Sequence, residues 1–273
     1  MKIDGGTKLI GFLGSTYRTS KMYAIYNAAM EALGLNYIYV PFVVNDLQKA
    51  VDGIRHLGVA AAGVTIPYKI SIIPYLDELD DESRHVGAVA VVMNRDGRLV
   101  GGTTDGKGAL RALGEKTEVR GKRVTMVGAG GAARAIAFSL KQAGTEITVL
   151  NRAEEIAMAE SLGKDIGCPW GDLSQLAETA ARSDILINTT PMGMANTPLE
   201  GKSLVPRELL RRGMTVMDIV TTPRETRLLQ DAAAAGCGVV HGDSMLLWQA
   251  VYKFQMYTGV EPPVDVMRQA MGK

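Results

Sequence analysis

The stretch RVTMVGAGGAARAIAFSLKQAG, residues 123–144, decides the fold. It opens with a short β-branched, apolar run from Arg123 to Val127 and passes through Gly128, Gly130 and Gly131. Apolar residues then recur at helical spacing until Gly144. A strand, a glycine turn and a helix in that order bring backbone N–H groups at a helix start within reach of a pyrophosphate, because no side chain stands in the way. Ala133 occupies the last fingerprint position, where the fold accepts Ala for Gly. A tight turn without a ligand is the competing reading, and the neighbouring strands favour a dinucleotide.

Downstream, strand-like runs recur at EITVLN (146–151), DILINTT (184–190), MTVMDIV (214–220) and GVVHG (238–242), separated by helical stretches. They suffice for a doubly wound sheet. Where an NAD-type site places an acidic residue, roughly 20 residues past the glycines, this strand ends in Asn151 and Arg152. A guanidinium suits the extra phosphate of NADP. The following Glu154 and Glu155 weaken that grip, so NADP is the expected cofactor and NAD stays open.

Upstream, KLIGFLG (8–14), NYIYVPF (36–42) and AAGVTIP (61–67) alternate with helical patterns over 20–33 and 46–57, as βαβ units of a mainly parallel sheet do. Met22, Ile25, Ala29 and Ala32 recur at helical spacing and read as core. The run AVAVVMNRDGRLVGGTT (88–104) reads as a hairpin about its NRDG turn. Residues 244–271 are helical in pattern with no strand to follow.

With 273 residues the chain can bury a sizeable core, and a net charge of +1 removes the electrostatic reason to propose nucleic acid or a membrane surface as partner. Cys168 and Cys237 form no paired motif and read as buried thiols, and His56, His85 and His241 are scattered, so no metal is expected. The N-terminus lacks a signal-peptide layout and no apolar run approaches the roughly 20 residues that cross a bilayer. A cytoplasmic protein is expected.

Two further segments carry chemistry: GVTIPYK (63–69), with Lys69 after a proline turn, and GTTDGKG (102–108), with Asp105 in a glycine-rich turn. Alone they read as a solvated lysine and a turn or N-cap aspartate. Oxidising a secondary alcohol sends a hydride to a nicotinamide and the hydroxyl proton to a base, for which a Lys held by a carboxylate is suitable.

The segments GVTIPYK, GTTDGKG, GAGGAARA, NRA, NTTPMGM and GDSMLLWQA stand in the order found in the shikimate dehydrogenase family, which the chain resembles over nearly its whole length. The resemblance implies an α/β protein with an N-terminal substrate and catalytic domain (1–105), a Rossmann NADP-binding domain (106–242) and a C-terminal helical segment (243–273) returning to the first domain. It implies interconversion of 3-dehydroshikimate and shikimate, or of a related cyclic hydroxy acid, with Lys69 and Asp105 as the catalytic pair. Cofactor contacts would come from Gly128, Ala129, Gly130, Gly131, Ala132, Asn151, Arg152, Thr189, Ile219 and Gly242.

Of the family's substrate contacts, Ser20, Thr65 and Gln249 are kept. Met22, Ala90 and Thr221 stand where the family has Ser, Asn and Tyr, Tyr23 where it has Pro, and Gly63 where it has Asn. Each lost partner is worth roughly 1 to 3 kcal/mol. The changes make the pocket less polar and point to a relative of shikimate or quinate with fewer hydroxyls or a differently placed carboxylate. Ala153 and Glu155 replace the Thr and second basic residue of the family's NADP loop. A catalytically silent NADP-binding sensor and a methylenetetrahydrofolate dehydrogenase-like enzyme, with Tyr68 as stacking platform, are the alternatives. The expected partner is a small molecule, and the expected state a monomer or homodimer.

Overall fold

The computed structural model describes residues 3–16, 20–65 and 67–272. The chain divides into two compact units, Met1–Thr104 with Gln249–Lys273, and Asp105–Trp248.

The first unit runs β1 (Lys8–Gly14), α1 (Lys21–Ala32), β2 (Tyr37–Val43), α2 (Leu47–His56), β3 (Ala61–Val64), α3 (Tyr68–Ser71), β4 (Glu78–Leu79), α4 (Asp81–Val86), β5 (Val91–Arg95) and β6 (Arg98–Gly102). Its sheet has the order β2-β1-β3-β5-β6-β4. β1 pairs in parallel with β2 and β3, whereas β5 is antiparallel to both β3 and β6. The hairpin is the one anticipated: Asp96 and Gly97 both take positive φ (51° and 89°), the combination that closes a two-residue turn with the twist of its strands.

Side chains start the helices. Ser20 accepts from the Met22 N–H at the head of α1, Asp46 from Lys49 at α2, and Asp80 from Ser83 at α4. Along α1 the buried face is Met22, Ile25, Tyr26, Ala29 and Met30. Ala32, expected in that face, is exposed because the helix ends there.

The second unit runs α5 (Asp105–Gly114), β7 (Arg123–Val127), α6 (Gly131–Gln142), β8 (Glu146–Asn151), α7 (Ile156–Ile166), β9 (Trp170–Asp172), α8 (Leu176–Arg182), β10 (Ile185–Asn188), β11 (Thr215–Asp218), α9 (Arg227–Ala234) and β12 (Gly238–Val240). All its strand pairs are parallel, in the order β12-β11-β10-β7-β8-β9. The chain leaves β7 toward β8 on one side and later returns to β10 on the other, which makes the carboxyl ends of these strands a topological switch point. Two apolar cores cover the sheet, one around Met126, Ile136, Val149 and Ile187, the other around Leu150, Leu186, Val216 and Leu229.

The C-terminal stretch is two helices, α10 (Gly242–Thr258), shared between the units, and α11 (Val264–Met271), which packs on α1 in the first unit. Gly259 in the left-handed region (φ 70°) and Pro262–Pro263, which lack N–H donors, separate them. No helix among the described residues is long and apolar enough to cross a membrane.

Candidate active site

At the switch point Gly128 adopts φ 106°, a conformation few residues other than glycine tolerate, and its N–H donates to Leu150 O at 2.8 Å. A Cβ there would press on the Thr189 side chain and sit 3.0 Å from Thr190 Cγ2. Thr189 is fixed in turn, its N–H and Oγ1 both donating to Val127 O at 2.8 Å. Gly130 caps α6 and Gly131 opens it; a Cβ at either would meet nothing within 4 Å.

Beside this turn lies a cavity of about 370 Å³ whose lining includes Gly128, Ala129, Gly130, Asn151, Arg152 and Thr189. Gly131 and Ala132 form the first turn of the adjoining helix, outside the described lining. Ile219 and Gly242 also lie outside it. They meet each other: a Cβ on Gly242 would be 2.7 Å from Ile219 O, so only glycine allows that approach. The backbone cradle, the helix start and the Arg152 cation together suit a dinucleotide phosphate.

The sequence placed Glu155 near the expected phosphate but not its pairing, and it did not single out the apolar part of the lining. Glu155 is the carboxylate among the described lining residues and binds Arg152, with Nη2 donating to Oε1 at 2.6 Å. Met158 and Leu173 add an apolar wall. The Glu was visible in the sequence as a charge, but its pairing depends on the 3₁₀ turn Ala153–Glu155, which Asn151 Nδ2 braces by donating to Glu155 O at 3.1 Å.

A buried polar network holds the two loops on the other side of the switch. Asp218, fully buried, accepts from Asn188 Nδ2 at 3.0 Å, Val220 N–H at 3.1 Å and Thr226 Oγ1 at 2.7 Å. Asn188 Oδ1 accepts from the Thr190 N–H and hydroxyl. Burial pushes the Asp218 carboxyl above the usual carboxylate range, and the three donors oppose that rise. Thr221, half-buried, follows in the loop this network anchors. Asp105 is the first residue of α5 and 4% exposed, so it heads a helix rather than sitting inside a turn.

In the first unit, Thr65 follows the end of β3, its N–H donating to Leu13 O at 3.3 Å and its C=O accepting from Tyr68 N–H at 2.9 Å. Half-buried Lys69 lies on the short helix α3, and its carbonyl accepts from Val89 N–H at 2.8 Å. Ala90, buried, donates through its N–H to Gly102 O and accepts from Val64 N–H. The backbone thus joins Thr65, Lys69 and Ala90 at one end of the sheet. Gln249 joins them through its backbone carbonyl, which accepts from Thr104 Oγ1 at 3.4 Å. Ser20 is half-buried at the head of α1, and Met22 beside it is 6% exposed.

The position of Gly63 is not an empty loss. A Cβ there would lie 2.8 Å from Tyr39 Oη, 3.0 Å from Phe12 Cδ2 and 3.1 Å from Tyr257 Oη. Tyr26, Tyr39 and Tyr257 form a ring cluster with centroids 4.5 to 6.3 Å apart, and Tyr23, in place of the family's Pro, joins its edge. Burial holds the Tyr39 and Tyr257 hydroxyls well above their ordinary pKa, so they stay neutral. Two phenol hydroxyls thus take the volume an Asn side chain would need at position 63.

Cys168 is buried; Cys237, expected to be so, is half-buried, its thiol donating to Arg211 O at 3.2 Å. His241 pairs with Glu225 at 2.7 Å. Among the described residues no group of three or more His, Cys, Asp or Glu is placed to hold a metal.

Three family profiles match the chain in sequence order: the shikimate dehydrogenase substrate binding domain over residues 12–92, shikimate / quinate 5-dehydrogenase over 110–232, and the shikimate 5'-dehydrogenase C-terminal domain over 244–271. Shikimate dehydrogenase (NADP(+)) of Pyrococcus abyssi is 42% identical over 262 residues, 96% of each chain. The crystal structure of shikimate 5-dehydrogenase from Listeria monocytogenes in complex with shikimate and NAD is similar at a TM-score of 0.93 and 38% identity, covering 98% of both chains. A shikimate dehydrogenase structure in complex with NADP+ is similar at 0.92 and 37% identity, covering 99% of this chain and 96% of the other. With its glycine turn, its cavity and all three profiles in register, the chain belongs to the shikimate dehydrogenase family.

Proposed function

We propose that this protein is an NADP-dependent oxidoreductase acting on a CH–OH group, interconverting 3-dehydroshikimate and shikimate or a closely related cyclic hydroxy acid. The observation that carries the reading is the match of both units, over nearly the whole chain, to relatives named NADP-dependent shikimate dehydrogenases. Gly128, Gly130 and Arg152 would hold the cofactor's phosphates, and Thr189 the adjoining wall of the cavity. When bound, NADP supplies the hydride acceptor for alcohol oxidation and the donor for the reverse reaction. The chain's own task is the proton: the Lys69 amine and Asp105 carboxylate form the pair that takes it from the substrate hydroxyl and returns it in the other direction. Ser20, Thr65 and Gln249 would orient the substrate's oxygens. The domain limits at 105 and 242 belong to this reading, as do a cytoplasmic setting and a monomeric or homodimeric state, which fractionation and gel filtration test.

Reduction of NADP and of NAD is measured with shikimate, quinate and less hydroxylated cyclohexene carboxylates. Lys69→Ala is expected to lower kcat by about 10²- to 10⁴-fold with NADP affinity unchanged. A protein that binds NADP tightly but oxidises no member of the panel supports the silent sensor instead. Met22→Ser is expected to lower KM for shikimate, and an unchanged KM removes Met22 from the site.

A further inference from the structure

The cavity beside the glycine turn has one described cation in its lining, Arg152, and one described carboxylate, Glu155, bonded to each other at 2.6 Å. Glu155 is held at its backbone by Asn151 and lies on the 3₁₀ turn that follows β8. Arg134, on α6, is engaged by Asp165, and Glu154 beside the pair is exposed. A cofactor whose ribose carries a 2′-phosphate must therefore take the guanidinium from Glu155 and bring a dianion toward a carboxylate. A free 2′-hydroxyl makes neither demand. It is a donor, and a carboxylate is an acceptor ready to receive it.

Resting on the proposed dehydrogenase function, we propose that Glu155 is a specificity-determining residue. It restrains Arg152 in the absence of a phosphate and accepts a ribose hydroxyl when NAD binds, which makes the site serve both dinucleotides. The Arg152–Glu155 pair is solvent-accessible on both sides, 58% and 41% exposed. Pairs of this kind are weak, so the phosphate can displace the carboxylate and the effect is a bias rather than a block.

The test is calorimetric binding of NADP and of NAD to the intact protein without substrate, for the wild type, Glu155→Gln and Arg152→Gln. Glu155→Gln is expected to tighten NADP about three- to tenfold and to weaken NAD about two- to fivefold. Arg152→Gln is expected to weaken NADP at least tenfold and leave NAD within about twofold. The opposite signs for the two cofactors are the readout, because a merely structural loosening of the turn moves both affinities the same way. If both dinucleotides bind the wild type and Glu155→Gln shifts them in parallel or not at all, this assignment is wrong while the dehydrogenase reading stands. If neither binds the wild type, both fall.

Discussion

Gly106, the residue after Asp105, gives a prediction whose sign runs against helix propensity. In an isolated helix, Gly→Ala stabilises by about 1 kcal/mol, and burying a methyl adds about 0.8 kcal/mol more. Gly106, however, lies where α5 crosses α6. A Cβ would collide with the Ala135 carbonyl oxygen and the Ser139 hydroxyl, and would stand 2.9 Å from the Ala135 carbonyl carbon. Ser139 Oγ can rotate away, but the Ala135 carbonyl is fixed within its helix. The two helices must separate, so the cost lies at or above the 3 kcal/mol upper end typical of overpacking, which exceeds the gain and leaves Gly106→Ala less stable by at least about 1 kcal/mol. Gly114, at the other end of the same helix, has nothing within 4 Å of its would-be Cβ and no positive φ. Gly114→Ala is expected to stabilise by about 0.5 to 1 kcal/mol. Scanning calorimetry of both variants should show Tm lowered by at least about 2 to 4 °C for the first and raised by about 1 to 4 °C for the second. A Gly106→Ala protein that melts at or above the wild type would refute the close crossing of α5 and α6.

Gly63→Asn, which restores the family's residue, is expected to destabilise by about 1 to 3 kcal/mol in urea titrations, because Tyr39, Tyr257 and Phe12 occupy the space. Combining it with Tyr39→Phe should recover part of that loss, and strict additivity would argue against direct contact. Asp218→Ala removes the acceptor of three donors, strands the buried Val220 N–H and Thr226 hydroxyl, and is expected to cost about 3 kcal/mol or more; a loss below 1 kcal/mol would show the network is not stabilising. The folded-state pKa of Asp218 is raised above the 3.8 of an ordinary Asp. Its contribution is therefore full below that pH and is lost as pH rises through the folded value, so the stability gap between wild type and Asp218→Ala should narrow upward from about pH 4.

Much of this could be read from the chain because local periodicity and global fold agree. The glycine turn, the hairpin at Asp96–Gly97 and the first two helices lie where alternation and caps place them. The helix α5 was hidden because DGKG carries turn chemistry; its Gly106 serves the crossing with α6, a tertiary demand that overrides propensity. The break between α10 and α11 falls at Gly259 and Pro262–Pro263, inside the stretch 244–271 that reads as helical in pattern throughout. The pairing of Glu155 with Arg152 and the tyrosines around Gly63 could not be read. The first depends on one turn's geometry, and the second joins β2, β3 and α10 across more than two hundred residues.

The first unit is assembled from two distant pieces of chain, and Tyr257 arrives on the later one. Synthesis on the ribosome delivers residues at about 5 to 20 per second from the N-terminus, so the contiguous second unit has its full sequence while the first still lacks α11 and the last ring of its tyrosine cluster. A nascent or C-terminally clipped chain would therefore carry a finished nucleotide-binding half beside a half whose α1 face is uncovered. Because α11 packs on α1, a chain cut before Val264 is expected to keep the second unit intact and to lose stability in the first, the kind of incompletely covered half on which aggregation and proteolysis act.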